Sequence, residues 1–223
     1  MSELFDDWPD RYDAWFETPI GALIKKYESE LILRLLHPVD GERILDVGCG
    51  TGIFTRDILD AHAAVIGLDI SLPMLTRARE KALSAPFAVV AGDMLRLPFR
   101  DNSFDKVVSI TALEFIEDAR SSIDEMFRVV RGGGYVVVAT LNSRSPWAHR
   151  RKAQADGEET IFRKALFRSA DDLRALAPVD GIIETAIHFQ KSDDPRHAQE
   201  IEKEARHRTP ETGAFIAVRW QKQ

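Results

Sequence analysis

Five short apolar runs constrain the fold of this chain more than any other feature. They are "RILDV" (Arg43 to Val47), "AVIGLDI" (Ala64 to Ile70), "FAVVAGD" (from Phe87), "FDKVVSI" (Phe104 to Ile110) and "YVVVATL" (from Tyr135). Each is rich in Val, Ile or Leu and lacks the polar alternation of a half-exposed strand, so each reads as a strand covered on both faces. Helical spacing fills the intervals. One helix runs from about Gly52 to Ala61, a second is capped by Ser71 and carries Met74, Leu75 and Ala78, and a third spans Ala119 to Val130. "RGGG", from Arg131, reads as a turn before the fifth strand.

Alternating strands and helices predict an α/β fold: a doubly wound (Rossmann-like), mostly parallel sheet with helices on both faces. Two late strands, "GIIETAIHF" and "GAFIAVRW", add an antiparallel C-terminal edge pair and bring the sheet to seven strands. Upstream, Thr18-Pro19 is an N-cap followed by proline at the first helical position. The helix after it carries Leu23, Ile24, Tyr27, Leu31 and Leu35 at helical spacing and is ended by Pro38 and Gly41. Ser169 caps a short helix, "ADDLRALA", and "DPRHAQEIEKEARHR" is a polar helix or a mobile segment.

The 223 residues suit one domain, and a net charge of −6 disfavours a general nucleic-acid binder. The single cysteine, Cys49, excludes an intramolecular disulfide, and no metal site is expected. No basic start precedes an apolar run, and no apolar stretch approaches the roughly 20 residues that span a bilayer. The expectation is a cytoplasmic protein, monomer or homodimer, without an integral membrane segment.

"ILDVGCGTGIFT" (Ile44 to Thr55) places glycines at 48, 50 and 52, with Cys49 and Thr51 between them. A dinucleotide fingerprint would set the third glycine one residue later, with a pyrophosphate at the helix N-terminus. Asp46, two residues before the first glycine, would repel a phosphate and attract an ammonium. Asp69 closes the second strand, where an acid accepts both ribose hydroxyls. Asp93 ends the third strand in "AGDMLRLPF". Three acids at successive strand ends describe a ligand with a cationic amino-acid tail, a ribose and a base, and S-adenosylmethionine is such a ligand.

"ILDVGCGTG", "GLDIS", "GDMLRLPFRDNSFDKVV" and "RVVRGGGYVVV" resemble, in order and spacing, the successive motifs of the class I S-adenosylmethionine-dependent methyltransferases. The likeness is closest to the small-molecule branch that includes ubiquinone and menaquinone methylases, and it covers about Glu42 to Asn142. It implies that Gly48, Gly50 and Gly52 let the backbone approach the methionine portion, with Asp46 near its ammonium. Asp69 would bind the ribose, Ile70 would pack on the adenine, and Asp93 would accept from the adenine amino group. Met94 would lie against the ring, with the Met94 or Leu95 amide nearby, and Thr111 would offer its backbone carbonyl. S-adenosylhomocysteine would be the product. The same resemblance divides the chain, 1–223, into an N-terminal helical lid or cap (1–38), a cofactor-binding core (42–142) and variable substrate-side insertions (143–168 and 192–211).

No general base stands out. Methyl transfer is an in-line displacement at an already activated sulfonium carbon, so position and a dry site supply most of the catalysis. Candidates are Glu114, after the fourth strand, His149, after the fifth, and Tyr12. Glu114 also fits the first turn of a helix, and His149 also fits an exposed helix position. His188, beside Phe189, suits a packed core or edge position, and His62 a helix end. Tyr12, Trp15 and Phe16 are positioned to form a lid over the sulfonium, or to staple the first helix to the sheet. The basic stretch from Arg144 to Arg168 includes Arg150, Arg151 and Lys152, which suit an anion or a solvated helix face. Trp147 and Phe162 within it are candidates to line an apolar substrate pocket.

The reading is a methyltransferase acting on a small-molecule acceptor. A non-catalytic S-adenosylmethionine-binding module and a dinucleotide-dependent oxidoreductase stand as alternatives.

Overall fold

Strand β1 (Arg43–Val47) lies inside the sheet, and its alternate residues feed two cores. Ile44 packs with Leu31, Leu35, Val108 and Phe215 on one face. Leu45 and Val47 pack with Phe104, Ile123, Met126 and Trp220 on the other. This two-sided burial is what the unbroken apolar run requires. The computed structural model describes residues 5–81, 86–153 and 165–223.

Along the chain the elements are α1 (Pro9–Glu17), α2 (Pro19–Leu36), β1, α3 (Thr55–Leu59), β2 (Ala64–Asp69), α4 (Leu72–Lys81), β3 (Phe87–Ala91) and β4 (Phe104–Ile110). There follow α5 (Ala119–Val129), β5 (Val130–Leu141), α6 (Pro146–Ala153), α7 (Ala170–Arg174), β6 (Gly181–Ala186), α8 (Pro195–Arg208) and β7 (Phe215–Gln221). The seven strands lie in the order β3-β2-β1-β4-β5-β7-β6. β1 to β5 are parallel, and β7 runs antiparallel to both β5 and β6. The strand order reverses between β1 and β4, so a crevice opens there at the carboxyl ends of the strands. Among the described residues, no helix is long and apolar enough to cross a membrane.

The α2 helix begins and ends where its sequence signals stand. The Thr18 hydroxyl accepts the Gly21 amide at 3.1 Å, Pro19 opens the first turn, and His37 closes the helix in the left-handed region at φ 48°. Asp118 caps α5 through the Ser121 amide at 3.1 Å.

Three segments depart from the sequence expectation. The "RGGG" stretch is a bulge inside β5 and not a turn before it: four residues, Arg131 to Gly134, stand opposite one, Asp105. Gly133 adopts φ +78°, and a Cβ on Gly134 would fall 2.3 Å from the Asp105 carbonyl oxygen, so side chains are excluded there. The aromatic segment before Thr18 is itself a helix, α1, whose N-cap Trp8 makes no side-chain cap bond, so its start is marked by Pro9 at the first helical position and Asp10 in the first turn. β6 stops at Ala186, because Ile187 turns into the left-handed region at φ 67°. The Phe162 candidate and the side chains of Arg151 and Lys152 lie outside the described residues.

The ambiguous polar segment is the helix α8, capped by the Asp194 carboxylate on the Arg196 amide at 2.9 Å. Glu202 fastens it to the end of β6. Its carboxylate is 1% exposed and accepts from the His188 amide at 2.7 Å, the His188 ring at 3.0 Å, the Ile187 amide at 3.3 Å and Arg206 at 2.9 Å. Burial alone would raise its pKa, but the His188 and Arg206 hydrogen bonds outweigh it and bring it down to about 2. A folded-state pKa below the ordinary 4.5 stabilises the fold above that pH, and the contribution is lost as pH falls through about 2. Glu202→Gln is therefore expected to lower stability by about 2–4 kcal/mol at neutral pH. Urea unfolding should show this as a lower midpoint, with the gap to the unaltered protein narrowing as the pH falls below 4.5.

Candidate active site

At the end of β1 the chain needs three left-handed residues in five: Gly48, Gly50 and Gly52 have φ of +75°, +53° and +73°. Only glycine adopts that region without steric cost. A Cβ on Gly48 would stand 2.4 Å from the Ala112 Cβ, at the end of β4, so the two strand ends can approach only through a glycine. The Gly48 and Cys49 amides donate to the Leu68 carbonyl at 2.7 and 3.0 Å, which stitches the loop onto β2. A Cβ on Gly50 would meet nothing within 4 Å.

Asp69 links the two loops at this end of the sheet. One carboxylate oxygen accepts the Gly50 amide at 2.8 Å, and the other accepts the Ser71 amide at 2.9 Å. Burial nevertheless raises its pKa, because those amides only partly offset desolvation. Asp46 is 2% exposed and accepts the Thr55 hydroxyl at 2.6 Å. Burial pushes its pKa up to about 7, the Thr55 bond pulls against that, and the charge of Asp69 adds to it. Burial and the same two acids raise the Cys49 thiol, so it is no nucleophile at neutral pH.

A cavity of about 250 Å³ lies over these groups. Of the residues implicated by sequence, Asp46, Gly48, Cys49, Gly50, Asp69, Ile70, Asp93, Met94 and Thr111 line it. Thr51, Gly52 and Leu95 do not. Thr51 is fully buried and donates its hydroxyl to Asp13 of α1 at 2.7 Å, while Gly52 packs on Ala78 of α4. The Leu95 amide donates to the Asp93 carboxylate at 2.9 Å, which leaves the exposed Asp93 with a capping role as well as a place on the wall.

Helix α1 forms the opposite wall with Trp8, Tyr12, Trp15 and Phe16, joined by Trp147 from α6. Edge-to-face contacts run from Tyr12 to Phe16, at 5.3 Å between ring centroids, and from Phe16 to Phe54, at 5.7 Å. The Trp147 indole donates to the Phe189 carbonyl at 2.7 Å. Burial raises the Tyr12 phenol above its ordinary range, although a hydrogen bond to the Thr111 side chain partly offsets that. Lys81 and Asp13 tie this wall to α4 at 2.5 Å.

The catalytic candidates separate. Glu114 is 1% exposed on the turn after β4, lines the cavity and accepts the Thr140 hydroxyl at 3.1 Å. His149 is exposed on α6, and no part of it lines the cavity, because the buried face of that helix belongs to Trp147 and Ala148. His188 is the partner of Glu202 and therefore structural. His62, exposed at φ 62°, receives the Gly41 amide on its carbonyl. No residue of α8 lines the cavity, and among the described residues no cluster of ligating side chains suits a metal.

Glu28 was not foreseen. It lies on α2, lines the cavity, is 7% exposed and takes no hydrogen bond from the described residues. Its signal was in the sequence: position 28 falls on the same helical stripe as Ile24, Leu31 and Leu35, where a charge is out of place. Burial, reinforced by Glu114 and only partly offset by Lys25, pushes its pKa up to about 8. Tyr12 faces the same acids. A folded-state pKa raised above the ordinary 4.5 stabilises the protein below that value, and the contribution is lost as pH rises through about 8. Glu28→Gln is expected to stabilise the ligand-free protein at high pH by about 1–3 kcal/mol, with the difference shrinking towards mildly acidic pH. Urea unfolding across a pH series reads both.

Comparison with known proteins places this geometry. A family model described as a methyltransferase domain matches residues 45–138. Malonyl-[acyl-carrier protein] O-methyltransferase of Pseudescherichia vulneris is 30% identical over 196 residues, covering 78% of this chain and 77% of that one. Demethylmenaquinone methyltransferase of Beutenbergia cavernae is 36% identical over 148 residues, covering 66% of this chain. The chain spans 60% of that relative's length, and 59% of the length of its Renibacterium salmoninarum counterpart. Among solved structures, a Thermotoga maritima methyltransferase described as a possible histamine N-methyltransferase superposes with a TM-score of 0.79 at 22% identity. That superposition covers 100% of this chain and 99% of the other, and shows the shared fold. The match to the O-methyltransferase over most of both chains, together with the family model, shows that this chain belongs to the class I S-adenosylmethionine-dependent methyltransferase family.

Proposed function

We propose that this chain transfers a methyl group from S-adenosylmethionine to a small-molecule acceptor held in the aromatic half of the cavity. The observation that carries the reading is Asp69. Its carboxylate is fixed by two backbone amides at the end of β2, beside the open face of Gly50 and on the same cavity as Asp46.

The residues present suit the cofactor. Each Asp69 oxygen keeps a lone-pair direction beyond its amide bond, enough for two ribose hydroxyls. Ile70 and Met94 offer apolar surface for the adenine, and Asp93, which lines the same cavity, would accept from the amino group of the base. Gly50, with nothing beside its Cβ position, leaves the backbone open to the amino-acid portion. Asp46 suits the ammonium and opposes the pyrophosphate of a dinucleotide.

When bound, the cofactor supplies a methyl group already activated by a positive sulfur. The chain's own part is to orient the acceptor, exclude water and take up a proton where the nucleophile carries one. Aromatic walls from α1 and α6 do the excluding, and the two buried acids, Glu28 and Glu114, are the groups placed to accept a proton.

Isothermal titration with S-adenosylhomocysteine tests the cofactor half. The protein should release heat and melt at a higher temperature, and Asp69→Asn should weaken binding at least about tenfold, the loss of hydrogen bonds to a charged group. Neither heat nor thermal shift at millimolar ligand would overturn the reading. Affinity should also fall as pH drops below 7, because a ligand ammonium favours the ionised form of Asp46, whose pKa is raised to about 7. The expected loss from pH 8 to pH 6 is about tenfold, and Asp46→Asn should flatten the profile. Transfer of a tritiated methyl group into a panel of amines, phenols and thiols tests the second half. Tight cofactor binding without any transfer would favour the non-catalytic binding module.

A further inference from the structure

The cavity has two chemically different halves. One half holds Asp46, Asp69 and Asp93 at the strand ends, the groups assigned above to the cofactor. The other half holds two acids for which that assignment has no use. Glu28 comes from α2 and Glu114 from the turn after β4, so two separate elements deliver carboxyl groups to one chamber. We propose that this chamber, formed by Glu28 and Glu114 against the rings of Tyr12 and Trp15, is a receptor for a cationic amine, and that Glu28 takes the amine's proton. The proposal rests on the methyltransferase reading and names its substrate class.

Glu28 is the first argument. It is 7% exposed and takes no hydrogen bond from the described residues, although it lines the cavity. Buried polar groups in native proteins are almost always satisfied, and each exception calls for a reason. Glu28 is not sealed from the cavity it lines, so the donor it lacks within the described chain comes from whatever fills that cavity, water or a ligand N–H. Glu114 is more deeply buried but differently held: Thr140 donates to it, and Arg168 is close enough to feel its charge. An acceptor that brings several N–H groups and a positive charge satisfies Glu28 without disturbing Glu114. A carboxylate or phosphate at that depth would face two acids.

The distribution of charge is the second argument. Among the described residues that line this wall, the cations, Arg11 and Lys191, are exposed, whereas Glu28 and Glu114 are buried. The buried Arg168, near Glu114 but not lining the cavity, offsets part of that negative charge, which leaves Glu28 as the acid that draws a cationic group inward. The rings are already suited to an ammonium: the Lys191 Nζ sits 4.0 Å from the centroid of Trp15 and 6.0 Å from that of Trp147.

The step balances. The bound ammonium gives one proton to the Glu28 carboxylate and becomes a neutral amine. The nitrogen lone pair then forms the N–C bond to the methyl carbon, and the C–S bond breaks with its electrons on sulfur. The products are a methylammonium, S-adenosylhomocysteine and a protonated Glu28, which returns its proton to solvent.

The test uses the full chain saturated with S-adenosylhomocysteine and three arylalkylamines: benzylamine, 2-phenylethylamine and tryptamine. Each is compared with the alcohol and the carboxylate of matching shape by titration calorimetry. At least one amine is expected to bind tenfold or more tightly than its alcohol and carboxylate counterparts. Glu28→Gln should reduce that amine's affinity at least tenfold while leaving the affinity for S-adenosylhomocysteine within twofold. With tritiated cofactor the same amine should be methylated by the unaltered protein, and far more slowly by the variant. The comparison of amine with alcohol needs no variant, so it stands if the substitution disturbs folding. Alcohols or carboxylates binding as well as the amines, amine binding indifferent to Glu28→Gln, or no binding by any amine would each overturn the proposal. Failure of S-adenosylhomocysteine itself to bind would instead overturn the methyltransferase reading.

Discussion

The backbone of Gly48 passes so close to Ala112 that no side chain fits between them, and the glycine-lined half of the cavity depends on that approach. It brings the ends of β1 and β4 together where the strand order reverses. The loop that follows must then climb through two more left-handed residues before α3 begins. In doing so it turns its amides outward, two onto the Leu68 carbonyl and one onto Asp69. Asp69 is thereby held in place by the backbone before any ligand arrives. A carboxylate positioned in this way gives up little conformational freedom on binding, which is the physical meaning of a preorganised site.

Much of this was written in the sequence, for local reasons. The three glycines, the acids at successive strand ends and the Thr18-Pro19 start of α2 are all short-range signals, and the structure places each at its expected element. What escaped was marked weakly or ambiguously. Helix α1 lacks a side-chain cap, and its attachments are to residues far along the chain, such as Thr51 and Lys81. The bulge at Arg131 to Gly134 looks like a turn because glycines serve both purposes, and only the partner strand decides between them. Thr51 was grouped with the cofactor loop by its neighbours, whereas its hydroxyl faces Asp13. Glu28 was legible in principle, as a charge on an apolar stripe, but the stripe reads as core until the cavity beneath it is seen.

The same chamber shows how burial sorts acids of one chemical type. Asp93 stays exposed and caps its own loop, Asp69 is fixed by amides, and Asp46 leans on a threonine hydroxyl. Glu28 has no hydrogen-bond donor from the described residues, so desolvation acts on it most strongly, with Glu114 adding to the effect and Lys25 partly relieving it. Burial raises the proton affinity of Asp69, Asp46 and Glu28 alike, and the donors or cation that each retains pull against it. Glu202 makes the contrast complete: it is as deeply buried as any of them, yet four donors keep it ionised.

β7 lies between β5 and β6, and β6, at the edge of the sheet, pairs with nothing else among the described residues. During synthesis β1 to β5 can therefore assemble while the residues of β6 wait for a partner still to be made. Asp46, Asp69 and Asp93 belong to the part that can assemble before β7 is made. Lys191 and Ala214 line the cavity from the stretch between β6 and β7, so that side of its wall takes shape only when β7 is threaded into place. A chain emerging N-terminus first can thus complete the end of its cavity nearest the glycines before the wall that carries Lys191 and Ala214.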